Sequence, residues 1–423
     1  MEKHAGMVPN TSRLQNNIEQ LSTLINPSKP GWTRRPFTEE YDSGRRWLTA
    51  QMQDAGLTVE IDAASNLIGV LPGSDPSLAP IMIGSHTDTV TGGGRFDGII
   101  GVLAGIEIAR VLQESGLKLR HTLQIVDFTA EEPSEFGLST IGSRGMVGNL
   151  TEVMLELRDD TGLQLADAIN RQGGDVSRLY AEARKPGEVA LYLELHIEQG
   201  PVLEQSGHRL GAVLGIVGIH RYRVQITGAP NHAGTTPMTL RNDALAGFCE
   251  IGLAFERHCL LYAKDAVGTI GKMNNEPNAS NVVPGLVRFD LEIRSLDHKI
   301  SEAVYSAFAA EAAEIAARRG LQLSIEALSK SDAVIVKEKV LEKVLSACNS
   351  VAPAICLPSG AGHDANQLAS IAPIGMIFVP SKDGRSHCPE EWTEFQDVAA
   401  GTQALGQALL LFDEEDFSRW EDA

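Results

Sequence analysis

From Tyr222 to Ile325 the apolar periodicity changes in a fixed order: strand (Tyr222–Gly228), helix (Thr239–Leu261), strand (Ala266–Met273), strand (Gly285–Arg294), helix (Lys299–Arg319), strand (Gln322–Ile325). A β-α-β-β-α-β order is that of a ferredoxin-like α+β unit. On either side the pattern differs. Strand-like and helix-like runs alternate as in a sheet covered on both faces, and that alternation resumes with a helix near Ile335–Ser350. A chain of 423 residues is too long for one compact core. The reading is therefore α/β: a domain with a mixed, mostly parallel sheet flanked by helices, formed by residues 1–211 and 328–423, with a smaller domain inserted at 212–327. A Pro-rich loop from Pro27 to Pro36 is expected to wrap the larger domain.

Five segments of that larger domain end in side chains that bind metals. The apolar strand at Ile81 finishes in His86-Thr87-Asp88, and the carboxyl ends of strands are where open α/β sheets bind ligands. Asp88 is placed to orient His86 through its other ring nitrogen. Gly92-Gly93-Gly94-Arg95-Phe96-Asp97-Gly98 is a glycine-rich loop leading into an apolar helix from Ile99. Asp97 could bridge two ions there, or simply cap the helix. A third strand finishes in Glu131-Glu132, read either as base and ligand or as a solvated turn. His196 lies on an alternating strand, where a histidine is often just a core residue, and His387 follows the apolar run Ile374–Val379. Neighbouring Cys388 suits a set of oxygen and imidazole donors poorly. Together, His86, Asp97, Glu132, His196 and His387 are what two divalent ions sharing one bridging aspartate require, with Glu131 beside them as general base.

Composition narrows the partners. With 43% apolar residues the chain can build cores, and a formal net charge of −19 argues against nucleic acid and anionic membranes. An odd set of five cysteines without paired spacing fits a reducing compartment. No apolar run at the amino terminus has signal-peptide length and none spans a bilayer, so the expected location is cytoplasmic.

The motifs Gly84-Ser85-His86-Thr87-Asp88-Thr89, Arg95-Phe96-Asp97-Gly98, Ala130-Glu131-Glu132, Glu194-Leu195-His196-Ile197-Glu198-Gln199-Gly200 and Ser386-His387-Cys388-Pro389-Glu390 resemble, in order, those of the zinc-dependent hydantoinase/carbamoylase amidase family. That family includes N-carbamoyl-L-amino-acid hydrolases, β-ureidopropionases and allantoate amidohydrolases. The resemblance implies that His86, Asp97 and His196 hold one ion and Asp97, Glu132 and His387 the other, with Glu131 as catalytic base. Zinc is the default ion, with manganese, cobalt or nickel also suited to the donors. It further implies that the inserted domain serves as lid and dimerisation domain of a homodimer. His232 would act near the scissile carbonyl and reach the partner's site, with Asn281 beside it and Arg294 on the substrate carboxylate. Gln199, Gly362 and His363 would complete the contacts to substrate. Without the resemblance, Arg294 reads as a surface ion pair and Asn281 as a turn residue.

The implied activity is hydrolysis of the ureido C–N bond of an N-carbamoyl-L-amino acid, with allantoate or N-carbamoyl-β-alanine as alternatives. An aminoacylase or exopeptidase would use the same chemistry, but that branch places a carboxylate where this chain has His196. A non-catalytic binding protein would be expected to have lost a ligand or the base. One departure stands out: Pro133-Ser134-Glu135-Phe136 replaces the Gly-Ser-Arg-Phe of many carbamoylases, which bears on the substrate rather than on the chemistry.

Overall fold

The computed structural model describes residues 7–420. The strands are β1 (Thr58–Ile61), β2 (Leu67–Leu71), β3 (Ile81–His86), β4 (Leu123–Phe128), β5 (Leu191–Ile197), β6 (Leu210–Ile216), β7 (Gly218–Thr227), β8 (Asn231–His232), β9 (Ala266–Glu276), β10 (Val282–Val283), β11 (Leu286–Ser295), β12 (Gln322–Ser331), β13 (Val334–Ile335), β14 (Ala354–Ser359) and β15 (Ile374–Val379). Two compact units result, one running up to Leu214 and again from Val336, the other Gly215–Ile335.

The larger unit is built on a sheet in the order β1-β2-β4-β3-β5-β15-β6, with β14 beside β6. Its four middle strands, β4, β3, β5 and β15, are parallel, while β2 joins β4 and β6 joins β15 in antiparallel fashion. The expected mixed sheet with a parallel centre is thus borne out. Every residue of β3, β4, β5 and β15 is buried, as expected where helices cover both faces of a parallel sheet. Continuous apolar runs such as Ile81-Met82-Ile83 and Ile374-Gly375-Met376-Ile377 are the sequence form of that burial. Helix Ile99–Ser115 is buried on nearly all sides and helix Phe395–Asp413 packs near it, so the core lies where these helices meet the central strands.

The parallel direction matters for function, because the carboxyl ends of β3, β4, β5 and β15 come together at one edge. Each of these ends leads into a segment that the sequence singled out for metal chemistry.

In the inserted unit the sheet order is β12-β7-β11-β9, all antiparallel, which is the ferredoxin-like arrangement. Residues of β7 and β11 alternate, and their inner side chains, among them Tyr222, Val224, Ile226 and Phe289, pack with Phe255 and Phe308 of the two helices. The first of those helices runs Ala244–Leu260, not from Thr239 as the sequence pattern suggests. Asp243 stops it there, accepting from the main-chain N–H of Leu245 and Ala246, while Met238–Leu240 form a separate 3-10 turn. Strand β12 runs on to Ser331. Gly215 then pairs with Ile335 and Ile216 with Val334, so the two ends of the unit lie side by side. Among the described residues no helix is long and apolar enough to cross a membrane.

Candidate metal centre

His86 ends β3, and the residue is 2% exposed. Its Nδ1 lies 3.0 Å from the main-chain oxygen of Asp88, so Nδ1 carries the proton and Nε2 faces inward with a free lone pair. The orienting acceptor is therefore the carbonyl of Asp88; its carboxylate stands farther off, at 3.6 Å. That carboxylate is engaged elsewhere, its two oxygens accepting from the N–H of Glu131 and Glu132, at 3.2 and 3.1 Å.

His196 is oriented in the same way. Its Nδ1 donates to the oxygen of Ile197 at 2.9 Å, and its Nε2 lies 3.1 Å from Asp97 Oδ1. His86 Nε2 lies 3.8 Å from that same oxygen and 3.6 Å from Glu131 Oε2. The other oxygen of Asp97 faces His387, whose Nε2 is 3.2 Å away and also 3.3 Å from Glu132 Oε1. The five expected ligands thus form two groups, His86-Asp97-His196 and Asp97-Glu132-His387, and Asp97 belongs to both.

The simpler readings of these residues do not match the geometry. Asp97 does not cap the helix: the cap position is Gly98, and the side chain that accepts from its N–H is His196, at 3.2 Å. Gly98 has φ 68°, and a Cβ there would run into the ring of His86. Glu131 and Glu132 are 9% and 4% exposed, too buried for a solvated turn.

Burial and neighbouring charges shift these groups in different directions. Burial, with the charges of Asp364 and Glu132 added, raises the carboxyl of Glu131 well above its usual range. Burial and the charge of Asp97 push Glu132 up to about 8. Burial draws His86 down to about 4. Burial also opposes a charged His196, but its contact with Asp97 carries it up to about 9. Two imidazoles with outward-held protons face Asp97, whose carboxyl burial would raise but contacts with His196 and His387 hold well below its usual range, and this donor set fits divalent cations.

Comparison with known proteins agrees. The sequence profile of Peptidase family M20/M25/M40 matches residues 82–411. The chain belongs to this family. It is 41% identical over 394 residues to an N-carbamoyl-L-amino acid amidohydrolase of Geobacillus stearothermophilus, covering 93% of this chain and 96% of that one. It is 35% identical to a ureidoglycolate hydrolase of Arabidopsis thaliana, covering 94% and 85%. Among solved structures, an amidase of the hydantoinase/carbamoylase family from Burkholderia multivorans superposes with a TM-score of 0.91 at 33% identity, covering 97% of this chain and 99% of that one. The resemblance to the hydantoinase/carbamoylase amidases is thereby borne out.

Within the larger unit, Gln199 lies against the ligands, its Nε2 2.8 Å from Asp97 Oδ2. His363 is buried, its ring 4.5 Å from that of His196 and its Nε2 2.8 Å from Ser359 Oγ. A Cβ on Gly362 would meet only Asn366 Oδ1, at 3.9 Å. Cys388 belongs to neither of the groups that share Asp97.

In the inserted unit, β8 pairs with β10, which follows Asn281 directly, so His232 and Asn281 are neighbours. His232 is exposed, and its Nδ1 accepts from the N–H of Gly234 and Thr235, both at 3.1 Å. Its proton is therefore on Nε2. Arg294 is on β11, paired with Glu292 through Nε at 2.8 Å.

Three buried acids near the ligands are not singled out by the sequence. Glu194 accepts from Ser85 Oγ and from the Tyr192 hydroxyl, at 2.8 and 2.9 Å. A signal for it is present, since it stands two residues before His196 on a strand and so shares its face. Asp364 accepts from Ser143 Oγ at 2.5 Å. Glu391 holds the Asp97 loop, and nothing in its local sequence distinguishes it from a surface acid.

Proposed function

We propose that the protein is a metal-dependent amidohydrolase that hydrolyses the ureido C–N bond of an N-carbamoyl-L-amino acid to the amino acid, ammonia and carbon dioxide. The observation that carries this reading is the sharing of Asp97 between two ligand groups with Glu131 beside them. Two divalent ions, zinc by default, would be held by His86, Asp97 and His196 and by Asp97, Glu132 and His387, and when bound would supply Lewis acidity and a more acidic water.

The protein's own groups then have distinct roles. Glu131 takes a proton from the attacking water and returns it to the leaving nitrogen. Asp88 holds Glu131 and Glu132 in place through their main-chain N–H groups. His232, with its proton on Nε2, is suited to donate to the oxygen of the scissile carbonyl as charge develops there. Asn281, Gln199, Gly362 and His363 are assigned to the substrate as well. Arg294 is assigned to its carboxylate, which would compete with Glu292 for the guanidinium fork.

A homodimer through the inserted unit is part of the proposal. Strand β9 is at the edge of its sheet and exposes Val267 and Met273, and the covering helix exposes Leu253 and Leu260. A cytoplasmic location fits five cysteines that form no disulfide.

The deciding experiment measures ammonia release from N-carbamoyl-L-amino acids, N-carbamoyl-β-alanine, allantoate and ureidoglycolate, and amino-acid release from N-acetyl amino acids, with metal-stripped protein before and after adding zinc or manganese. Metal-dependent turnover of the N-carbamoyl-L-amino acids is the expected result. Preference for another ureido compound reassigns the substrate, cleavage of only the acetyl compounds moves the protein to the aminoacylases, and no turnover at all overturns the reading.

A further inference from the structure

Glu391 carries a carboxyl group, yet its residue is only 2% exposed. Its Oε1 accepts from the main-chain N–H of Phe96 at 2.9 Å and of Asp97 at 3.1 Å. Its Oε2 lies 3.0 Å from Ser386 Oγ, and the same hydroxyl lies 2.8 Å from Asp97 Oδ2. A single carboxylate thus spans the loop that carries Asp97 and the loop that carries His387, which are far apart in the sequence. Gly94 makes room for it, because a Cβ at that position would run into Glu391 Oε1.

We propose that Glu391 is a positioning residue that couples the His387 loop to Asp97, and so sets the affinity for the ion held by Asp97, Glu132 and His387. The proposal rests on the two-ion reading above. Selectivity for that ion follows from where the ligands sit. His86 and His196 are on fully buried strands and are held by their own main-chain hydrogen bonds. His387 is on a loop, its side chain is 49% exposed, and its φ is 56°. Without the Glu391 tether, the rigid strands still present two imidazoles, while the His387 loop loses its hold on the Phe96 and Asp97 N–H groups and keeps only the weaker side-chain links of Ser386 Oγ to Asp97 Oδ2 and of Trp392 to the Phe96 ring. Supporting contacts behind metal ligands are typically worth about 10–100-fold in affinity.

The test is zinc titration of the full-length, metal-stripped chain by calorimetry, with metal content measured after dialysis, for the unmodified protein and for Glu391→Ala, Glu391→Gln and Gly94→Ala. The unmodified protein is expected to bind two ions. Glu391→Ala should keep one tightly and bind the other at least tenfold more weakly. Glu391→Gln should lose less, since an amide oxygen still accepts from both N–H groups. Gly94→Ala should reproduce the selective loss with Glu391 intact, and combining it with Glu391→Ala should add little further. Because Glu391 touches no reacting atom, raising zinc should restore most of kcat. If the unmodified protein binds only one ion, the two-ion reading fails. If it binds two and the variants bind both within twofold of it, the tether alone is overturned, as it is if both sites weaken equally. Should Glu391→Ala fail to fold, Glu391→Gln and Gly94→Ala decide by the same criteria.

Discussion

Asp88 has two parts, of which the sequence assigned one. The sequence placed it behind His86, and the orienting atom is indeed its own, but it is the main-chain oxygen. The carboxylate instead receives the N–H groups of two consecutive glutamates. Asp88→Ala should therefore affect base and ligand together, lowering metal affinity and turnover by about 10–100-fold each, as metal titration and rate measurements would register. Glu131→Gln separates the two roles. It keeps the size and the buried position of the side chain but cannot take a proton, so turnover should fall by about 10²–10⁴-fold while metal content stays near that of the unmodified protein. Residual activity within a few fold would assign the base elsewhere. The ligand types themselves were legible because most lie at or just after the end of an apolar strand or in a glycine-rich loop, while His387 follows the apolar run Ile374–Val379 across a polar loop. Asp364 and Glu391 were not, because a buried acid far along the chain is recognised only by what it touches.

Among the elements, the segment Trp32–Arg35 belongs to the Pro-rich loop expected to wrap the larger domain, and it does so against one particular loop. It lies along the loop between His86 and Asp97. Trp32 N–H donates to Gly93 O at 3.0 Å, Gly92 N–H to Thr33 Oγ1 at 2.8 Å, and Thr89 N–H to Arg34 O at 3.0 Å. Arg34 is buried, and burial draws it down to about 10, which still leaves it charged at neutral pH. Its Nε donates to Thr87 O at 2.8 Å and its Nη1 to Leu21 O at 2.9 Å. Arg34→Met would leave these carbonyls without their donors. A loss of about 2–4 kcal/mol is expected, read as a lower denaturant midpoint at unchanged m. Arg35 extends the same contact to the unusual Pro133-Ser134-Glu135 stretch, pairing with Glu135 at 2.7 Å. Strands with continuous or alternating apolar residues were readable from sequence, and Ile374–Val379 matches β15 end to end. The short antiparallel strands β1 and β2 and helix Glu39–Asp54 were not read: β1 is four mostly exposed residues, β2 is five residues with a central glycine, and the helix buries few of its residues.

For the molecule as a whole, removing metal has a thermodynamic consequence besides lost turnover. An ion present at a hundredfold excess over its Kd stabilises the folded state by about 2.7 kcal/mol per site, so chelation should lower Tm and added zinc should restore it. Assembly can be tested at the edge of the inserted sheet. Val267→Lys with Met273→Lys places charge on an exposed strand, and a dimer built there should become a monomer in sedimentation measurements. The alternation of units was legible because the strand and helix periods change order. The exact joins were not, since β6 and β12 run past the points where the pattern changes. Those joins also bear on how such a gene is put together. Where Gly215 sits opposite Ile335, the coding sequence between them enters and leaves at one spot. A segment of that kind can be acquired or lost in one recombination without rethreading the host sheet. Splicing a short turn in place of residues 217–333 would leave the four parallel strands and all five ligand-bearing segments on a chain still connected in its original order.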